Sequence, residues 1–290
     1  MIIYDFTSRL PGPLATSLLQ EQGHQVIKIE NKNRPDPFSL DRQSLFYYWY
    51  KKINQNKSVK KLDFQDQIIC ESLLKEIKKS KDSVLLIPKS PYYTENTLQL
   101  GSLEKKKHIF CITPSHHDKK KLHDTDFLFQ QGYFNLQKKI KNPSLPTLPY
   151  GGLAFAQLIA LRISSHLLLN KNEKGLIPIS MKEDLSKNFF TKIIPSKQKL
   201  DMYKMDQAGD LLCYHMYSIK RDFQLSITAL EKNTFIELAK KLKLETKFIV
   251  NQYSRDKKLI QSLEQRLKKI TLPELRKIAK TTQGLNTLES

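Results

Sequence analysis

The stretch Arg9-Leu10-Pro11-Gly12-Pro13 decides the fold, because it connects an apolar run to a helix-forming segment. Residues 2–6 form a short apolar run that predicts a buried strand, and residues 24–30 form a second one. Between the Pro-Gly-Pro turn and Gly23 lies an amphipathic segment, which predicts a helix that ends at the glycine. The sequence therefore predicts a βαβ unit at the start of a parallel sheet.

The loop of this unit limits the kind of ligand that it can hold. It lacks the pattern Gly-x-Gly-x-x-Gly, whose backbone N–H groups cradle the pyrophosphate of a dinucleotide. An ordinary NAD site is therefore not expected. A ligand at this loop must be held in another way.

The alternation of strands and helices continues along the chain. Further apolar runs predict parallel strands at residues 84–87 and 108–112. A helix is expected from Asp63 to about residue 80, and a long apolar helix from Gly151 to just before residue 170. This pattern predicts an α/β fold, with a Rossmann-like parallel-sheet large domain over residues 1–195.

The character of the sequence changes near Leu200. Two runs separated by a polar turn at residues 220–222 predict a β-hairpin. Three helices are expected after it, at residues 233–244, 256–270 and 273–279. Residues 200–290 are therefore predicted to form a smaller α+β domain.

The composition limits the partners. The chain has 290 residues, 39% of them hydrophobic, which is enough for one large or two modest cores. Its net charge is +20, but only eight of the 49 basic residues are arginine and the lysines are scattered. Nucleic-acid recognition favours arginine forks and a localised basic stripe, so nucleic acid is not the expected partner. A ligand with phosphate groups would suit a basic rim.

The cysteines and the apolar segments indicate a cytoplasmic protein. Cys70, Cys111 and Cys213 are far apart and odd in number, which is typical of reduced, buried thiols and predicts no metal site. Asp5 interrupts the N-terminal apolar run, so no secretory signal is expected. Residues 148–169 contain Arg162 and other polar side chains, and are expected to form a buried helix and not a membrane span.

The first 30 residues resemble the N-terminal signature of the family III CoA-transferases, which include formyl-CoA transferase and α-methylacyl-CoA racemase. Gly12-Pro13-Leu14-Ala15-Thr16 and residues 23–30 carry the resemblance. It implies an acyl-CoA ligand and an interlocked homodimer whose sites are shared between subunits. The candidate CoA-binding residues are Arg9, Gly12, Pro13, Arg34, Lys57 and Lys89. Lys57 lies in a stretch similar to the family's Asn-Lys segment, and Lys89 lies where the family has an arginine.

A second resemblance points to catalytic residues. His123-Asp124-Thr125-Asp126-Phe127-Leu128, with Gly132 after it, is similar to the His-Asp segment of the racemase branch. There the histidine exchanges the proton on the carbon next to the thioester carbonyl, a reaction that needs a base active near neutral pH. The resemblance implies His123 and Asp124 as catalytic residues. The alternative is a surface loop in which Asp124 or Asp126 caps a helix.

A third resemblance involves the predicted small domain. Ala229-Leu230-Glu231, followed by Phe235 and Glu237, is similar to a racemase segment whose glutamate hydrogen-bonds the catalytic histidine. It implies that Glu231 orients His123. The alternative is an acidic residue that is favoured by the dipole at the start of a helix.

One departure from the family concerns its second carboxylate. The family has an aspartate at the start of the long helix, where this chain has residues 145–152 without any acid. The ordinary transferase mechanism and a two-base racemase are therefore not supported by the sequence. Three alternatives remain for the site. His123 exchanges the proton as a single base, the protein binds its ligand without catalysis, or Asp124 or Asp126 replaces the missing carboxylate. The prolines between the acids and the helix are expected to keep both acids away from that place.

Overall fold

The computed structural model describes residues 1–117, 123–134, 145–169, 172, 174–190 and 209–289. The chain divides into two compact units, residues 1–200 and 201–290. Each unit has its own hydrophobic core and is described by itself.

The first unit is built on a parallel sheet with helices on both faces. Its strands are β1 (Ile2–Asp5), β2 (Gln25–Asn31), β3 (Ser58–Leu62), β4 (Ser83–Pro88), β5 (His108–Thr113) and β6 (Gly175–Ser180). Its helices are α1 (Pro11–Glu21), α2 (Leu45–Asn54), α3 (Gln67–Lys79), α4 (Pro91–Thr94), α5 (Asp124–Gln130) and α6 (Tyr150–Leu169). A π-helical segment, Met181–Phe190, follows β6. The predicted α/β fold is confirmed.

The order of the strands creates a crevice at one edge of the sheet. The order is β3-β2-β1-β4-β5-β6, and each neighbouring pair is parallel. The chain leaves β1 toward β2 on one side and later returns to β4 on the other side. The crossovers on the two sides of β1 therefore diverge, which opens a crevice beyond the carboxyl ends of β1 and β4.

The alternation of side chains along the strands divides the core into two layers. In β4, Val84 and Leu86 pack into one apolar cluster, while Leu85 and Ile87 pack into the other. The first cluster is covered by α1 and α6, and the second by α3. The apolar run at residues 84–87 is thus buried on both faces of the sheet, as expected in a parallel sheet.

The long apolar helix α6 belongs to this core. Its length and composition alone would allow it to cross a membrane. Phe155, Ile159 and Ile163 are buried in the cluster that α1 also covers. These contacts account for the apolar residues on one face of α6, whereas Leu161, Leu168 and Leu169 are exposed, so the helix is only partly buried.

The second unit is a small α+β unit. Strands β7 (Tyr214–Lys220), β8 (Phe223–Thr228) and β9 (Leu285–Glu289) form an antiparallel sheet in that order. The helices are α7 (Lys232–Lys241), α8 (Thr246–Val250), α9 (Lys257–Lys268) and α10 (Leu272–Thr281). The hairpin of β7 and β8 lies where the sequence predicts it, whereas β9 was not anticipated.

Candidate functional site

A cavity of about 320 Å³ lies at the carboxyl edge of β1, β2 and β4. This is the crevice that the strand order opens. The side chains that bear on its chemistry are Thr7, Glu30, Arg34, Ser90, Tyr92 and Tyr93. Glu30 lies near the end of β2, and the others lie on segments that follow β1, β2 or β4.

Beneath the cavity, Asp5 organises the end of β1. Its side chain is fully buried and accepts hydrogen bonds from the Thr7 backbone N–H at 2.9 Å and the Thr16 hydroxyl at 2.6 Å. Burial acts to raise the pKa of Asp5, but Lys28, Lys57 and these donors lower it below its ordinary value. Asp5 therefore stays ionised and ties the loop after β1 to α1.

Lys57 completes this buried network. Its ammonium contacts the Pro13 carbonyl at 2.6 Å, the Thr16 hydroxyl at 2.9 Å and the Asn54 amide oxygen at 3.0 Å, with Asp5 at 3.5 Å. Burial lowers the pKa of Lys57 to about 8, although Asp5 opposes the change. The structure thus places this predicted CoA-binding residue inside the protein, where it holds the loop in position.

Gly12 and Pro13 shape the start of α1. A Cβ atom on Gly12 would lie 2.1 Å from the Thr7 hydroxyl oxygen, so only glycine fits there. The first three helical residues are Pro11, Gly12 and Pro13, and the two prolines have no N–H to offer an anion. The close packing of the loop explains the Pro-Gly-Pro turn and agrees with the absence of a dinucleotide fingerprint.

Arg9 holds the loop in an unusual backbone conformation. Its φ of 66° lies in the left-handed region, which is rare for a residue with a side chain. The Arg9 N–H donates to both carboxylate oxygens of Asp36, at 3.1 and 2.9 Å. The ammonium of Lys28 lies 3.8 Å from the same carboxylate and donates to the Thr7 carbonyl at 2.6 Å. Asp36 is therefore neutralised by partners within the protein.

Glu30 is the carboxylate that remains incompletely bonded in the cavity wall. Its Oε1 accepts from the Tyr50 hydroxyl at 3.0 Å and lies 3.9 Å from the Lys28 ammonium. Its Oε2 is buried and has no hydrogen-bond partner within the described ranges. Burial and the neighbouring Glu30 raise the pKa of Tyr50, so the tyrosine stays a donor. A ligand that donates a hydrogen bond would satisfy Oε2.

Aromatic and cationic side chains complete the wall. Tyr92 and Tyr93 lie edge to face with ring centroids 5.2 Å apart, and burial raises the pKa of Tyr93 to about 12. Arg34 stands beside them on the segment after β2. Lys89, the remaining predicted phosphate ligand, is exposed after β4 and donates to the His116 carbonyl at 3.3 Å.

His123 and Asp124 lie at the start of α5. His123 is exposed at the N-cap, and its backbone N–H donates to the Asp126 carboxylate at 3.1 Å. The Asp124 carboxylate accepts the Gly152 N–H of α6 at 2.5 Å. Burial raises the pKa of Asp124, opposed by the N–H groups of Gly152 and Gly151. The prolines were expected to keep Asp124 away from the start of α6, but the structure places its carboxylate there.

Glu231 lies in the second unit, at the N-cap of α7. It is exposed, and its side chain makes no capping hydrogen bond. The pairing of Glu231 with His123 therefore remains a prediction from the family resemblance.

The sequence analysis missed a polar cluster at the carboxyl ends of β5 and β6. There the His116 imidazole Nε2 lies 3.2 Å from the Asp184 carboxylate. Glu183 accepts from the Ser115 hydroxyl at 2.5 Å and the His116 backbone N–H at 3.0 Å. The sequence offers a partial signal, because polar residues directly follow the predicted strand at residues 108–112, but it does not indicate the contact between His116 and Asp184.

The described residues do not provide the ligand set of a metal site. Among the described residues, no group of three or more histidine, cysteine or acidic side chains is placed to hold a metal ion. Cys70, Cys111 and Cys213 are buried and not joined by disulfides. Burial raises the pKa of Cys111 to about 11, so this thiol is an apolar core group at neutral pH.

Comparison with solved structures shows the same fold in other proteins. The hypothetical protein Rv3272 of Mycobacterium tuberculosis has 16% identity and a TM-score of 0.69, covering 100% of this chain and 82% of its own. A CAIB/BAIF family protein of Brucella suis has 15% identity and a TM-score of 0.72, covering 99% of this chain and 82% of its own. At these identities the likeness shows the fold alone.

Comparison of sequences finds a family similarity in the N-terminal part of the chain. No curated protein matches the chain. The sequence model of CoA-transferase family III matches residues 1–81, which include β1, the loop, α1, β2 and β3. The first 81 residues are therefore similar to CoA-transferase family III, and the fold of the whole chain is similar to that of a CAIB/BAIF family protein.

Proposed function

We propose that the protein binds an acyl-CoA in the cavity after β1, β2 and β4 and acts on the carbon next to the thioester carbonyl. The Oε2 atom of Glu30 carries the proposal, because a buried acceptor without a donor costs about 1–3 kcal/mol. A hydroxyl or amino group of the adenosine part of CoA would donate to it. The similarity of residues 1–81 to CoA-transferase family III supports this choice, because that family acts on CoA thioesters.

The rest of the cavity suits the same ligand. Tyr92 and Tyr93 offer aromatic surface to a purine, and Arg34 offers a forked cation to a phosphate. Asp36 also lines the cavity, but Lys28 and backbone donors offset its charge. A phosphate near Arg34 would therefore not meet an uncompensated carboxylate at this position.

Calorimetric melting with CoA tests the binding. A ligand at 100 times its Kd stabilises the folded state by about 2.7 kcal/mol, so CoA is expected to raise the Tm. Arg34→Ala is expected to weaken CoA binding at least tenfold, because it removes a charge-assisted contact. Arg42→Ala is the matched control, since Arg42 is an exposed arginine that does not line the cavity. A Tm raised by duplex DNA but not by CoA would instead favour a nucleic-acid-binding protein.

The chemistry that the resemblance supports is transfer of the α-proton. His123 would take the proton, the C–H electron pair would form an enolate, and return of a solvent deuteron would complete the exchange. Asp124 would assist from the start of α6, and Glu231 would orient the imidazole. His123→Ala is expected to abolish exchange of the α-proton that faces this histidine in a branched acyl-CoA in D2O, whereas Glu231→Gln only weakens it. Equal exchange in wild type and His123→Ala would remove this histidine from the reaction.

A second candidate function is binding without catalysis. It is favoured by the acids of α5, since Asp126 and Asp124 both accept backbone N–H groups at helix starts. We expect no acyl-aspartyl intermediate, so hydroxylamine added after acyl-CoA should leave both carboxylates unmodified. A hydroxamate at Asp124, detected by mass spectrometry, would restore an acyl-transfer mechanism. The family resemblance further suggests an interlocked homodimer with shared sites, and the three cysteines, which are not joined by disulfides, suggest a cytoplasmic location.

A further inference from the structure

We propose that His116, held by Asp184, is a further proton-transfer group of the site and lies beside the thioester of a bound acyl-CoA. The inference rests on the proposed acyl-CoA binding. It concerns a histidine outside the segments that carry the family resemblance.

The backbone around His116 is fixed at several points. The Ser115 hydroxyl donates to Glu183 at 2.5 Å and accepts the His117 N–H at 3.2 Å. The His116 N–H donates to Glu183 at 3.0 Å, and its carbonyl accepts from Lys89 at 3.3 Å. A side chain on such an anchored loop is held ready for reaction, which is the usual requirement for a catalytic group.

The carboxylates of the π-helical segment are fixed in turn. The Ser180 backbone N–H donates to Asp184 at 2.7 Å, and its hydroxyl donates to Glu183 at 2.5 Å. Burial acts to raise the pKa of Glu183, but the hydroxyls of Ser115 and Ser180 and the N–H of His116 lower it to about 2. Glu183 is therefore a permanent anion that anchors the loop. It takes no part in moving protons near neutral pH.

Asp184 sets the tautomer of His116. An ionised carboxylate only accepts hydrogen bonds, so the proton of the neutral imidazole lies on Nε2, 3.2 Å from Asp184 Oδ2. The lone pair then lies on Nδ1, which forms no hydrogen bond within the part of the chain that the structure describes. The side chain is 27% exposed, so a ligand can reach it. This is the arrangement of a positioned base with its orienting acid.

His116 lies on the same edge of the sheet as the cavity. It follows β5, which is two strands from β1 in the sheet, or about 10 Å at the usual strand spacing. Lys89 links the two places, because it contacts the His116 carbonyl and directly precedes Ser90 of the cavity wall. An extended pantetheine arm is longer than this separation. Adenosine in the cavity would therefore allow the thioester to reach His116.

The proposed step is a balanced proton transfer without any change of oxidation state. Nδ1 of His116 takes the α-proton, the C–H bond breaks, and its electron pair forms the enolate of the thioester. The exposed ammonium of Lys89 lies on the same loop cluster and offsets the negative charge on the enolate oxygen. Return of a proton from the imidazolium regenerates the thioester. In D2O the carbon acquires deuterium.

Chemical footprinting tests the position of His116 without relying on activity. Diethyl pyrocarbonate acylates accessible imidazole nitrogens, and mass spectrometry locates the adduct. Saturating acyl-CoA is expected to slow the reaction of His116 at least tenfold, while exposed His117 reacts equally with and without ligand. Binding of acyl-CoA without protection of His116 would overturn this inference and leave the proposed function intact. Absence of acyl-CoA binding would overturn both.

Exchange kinetics test the role. With the two α-epimers of a 2-methylacyl-CoA in D2O, His116→Gln is expected to slow exchange of at least one epimer by about 100-fold or more. Asp184→Asn, which removes the positioning group, should lower the rate about tenfold and leave KM unchanged. His117→Gln is the matched control. The assignment would be contradicted if His116→Gln exchanged both epimers at the wild-type rate. It would also be contradicted if the wild-type protein bound acyl-CoA but exchanged neither epimer.

Discussion

At the scale of single residues, Lys57 is a buried charge that stabilises the loop beside the cavity. The exposed fraction of its side chain is 0%, and its partners come from β1, α1 and α2. A buried charge is retained only when its partners are also in place. Lys57 thus reports on the geometry of the whole loop after β1.

Lys57→Met is expected to lower the free energy of unfolding by about 3–5 kcal/mol, because it removes the ammonium that pairs directly with the buried Asp5 carboxylate. Urea denaturation measures this change. Lys60 lies in β3, which begins directly after Lys57, and Lys60→Met removes a partly exposed pair with Glu76, which should cost less than about 1 kcal/mol. Equal stability of the two variants would contradict the role assigned to Lys57.

The pH dependence of the same variant has a defined sign. The pKa of Lys57 falls from 10.5 to about 8 on folding, so between these values the unfolded chain binds more protons. The contribution of this group to stability therefore rises with pH across that window, by at most about 1.4 kcal/mol per unit. The advantage of wild type over Lys57→Met should grow between pH 8 and 10. A constant difference would contradict the lowered pKa.

At the scale of elements, the start of α6 depends on Asp124 from another helix. Gly151 and Gly152 leave room for it, because a Cβ on Gly151 would lie 2.9 Å from the carboxylate. The carboxylate accepts a helix N-terminal N–H that α6 cannot satisfy by itself. The acid thus performs a capping role across two elements.

Asp124→Ala is expected to cost about 1 kcal/mol of stability through loss of this cap, whereas Asp124→Asn keeps an acceptor and should cost less than about 0.5 kcal/mol. Because the folded pKa of Asp124 is raised above 3.8, its contribution to stability is lost as the pH rises through the folded value. Asp124→Asn should therefore gain on wild type from pH 4 to 7 in denaturation experiments. A loss over that range would contradict the raised pKa.

The elements were mostly predictable, while the contacts between them were not. The periodicity of apolar residues and the positions of turn residues predicted β1, α1, β2, β4 and β5, because these signals are local in the sequence. The start of α3 was placed too early, since Asp66 caps it and Asp63 closes the preceding turn. Neither the contact of Asp5 with Lys57 nor that of His116 with Asp184 has a local signal. Both depend on how distant segments meet at one edge of the sheet.

At the scale of the whole molecule, the chain exposes apolar side chains on α2. Leu45, Phe46 and Tyr48 are 58%, 50% and 56% exposed, and Phe46 stacks on Phe38 at 4.6 Å. Adjacent exposed apolar side chains are typical of an interaction surface. This surface is consistent with the homodimer that the family resemblance implies.

Light scattering is expected to give a mass of about twice 33.9 kDa for the protein in solution. Phe46→Asp should shift the mass toward one chain, because a charge on this surface opposes apolar contact. Ile68→Asp is the matched control, since Ile68 is 80% exposed on α3. A monomeric wild-type protein would contradict the homodimer.

The strand order also has a consequence for synthesis on the ribosome. Every side chain that lines the cavity belongs to residues 6–93. Strands β1, β2, β3 and β4 also lie within the first 93 residues. The nascent chain therefore contains the complete cavity wall before β5 and β6 are made. Until β5 emerges, however, β4 is an open edge whose residues are apolar on both faces. The part of the molecule that recognises the ligand is translated first, and it depends on later strands for protection against misassembly.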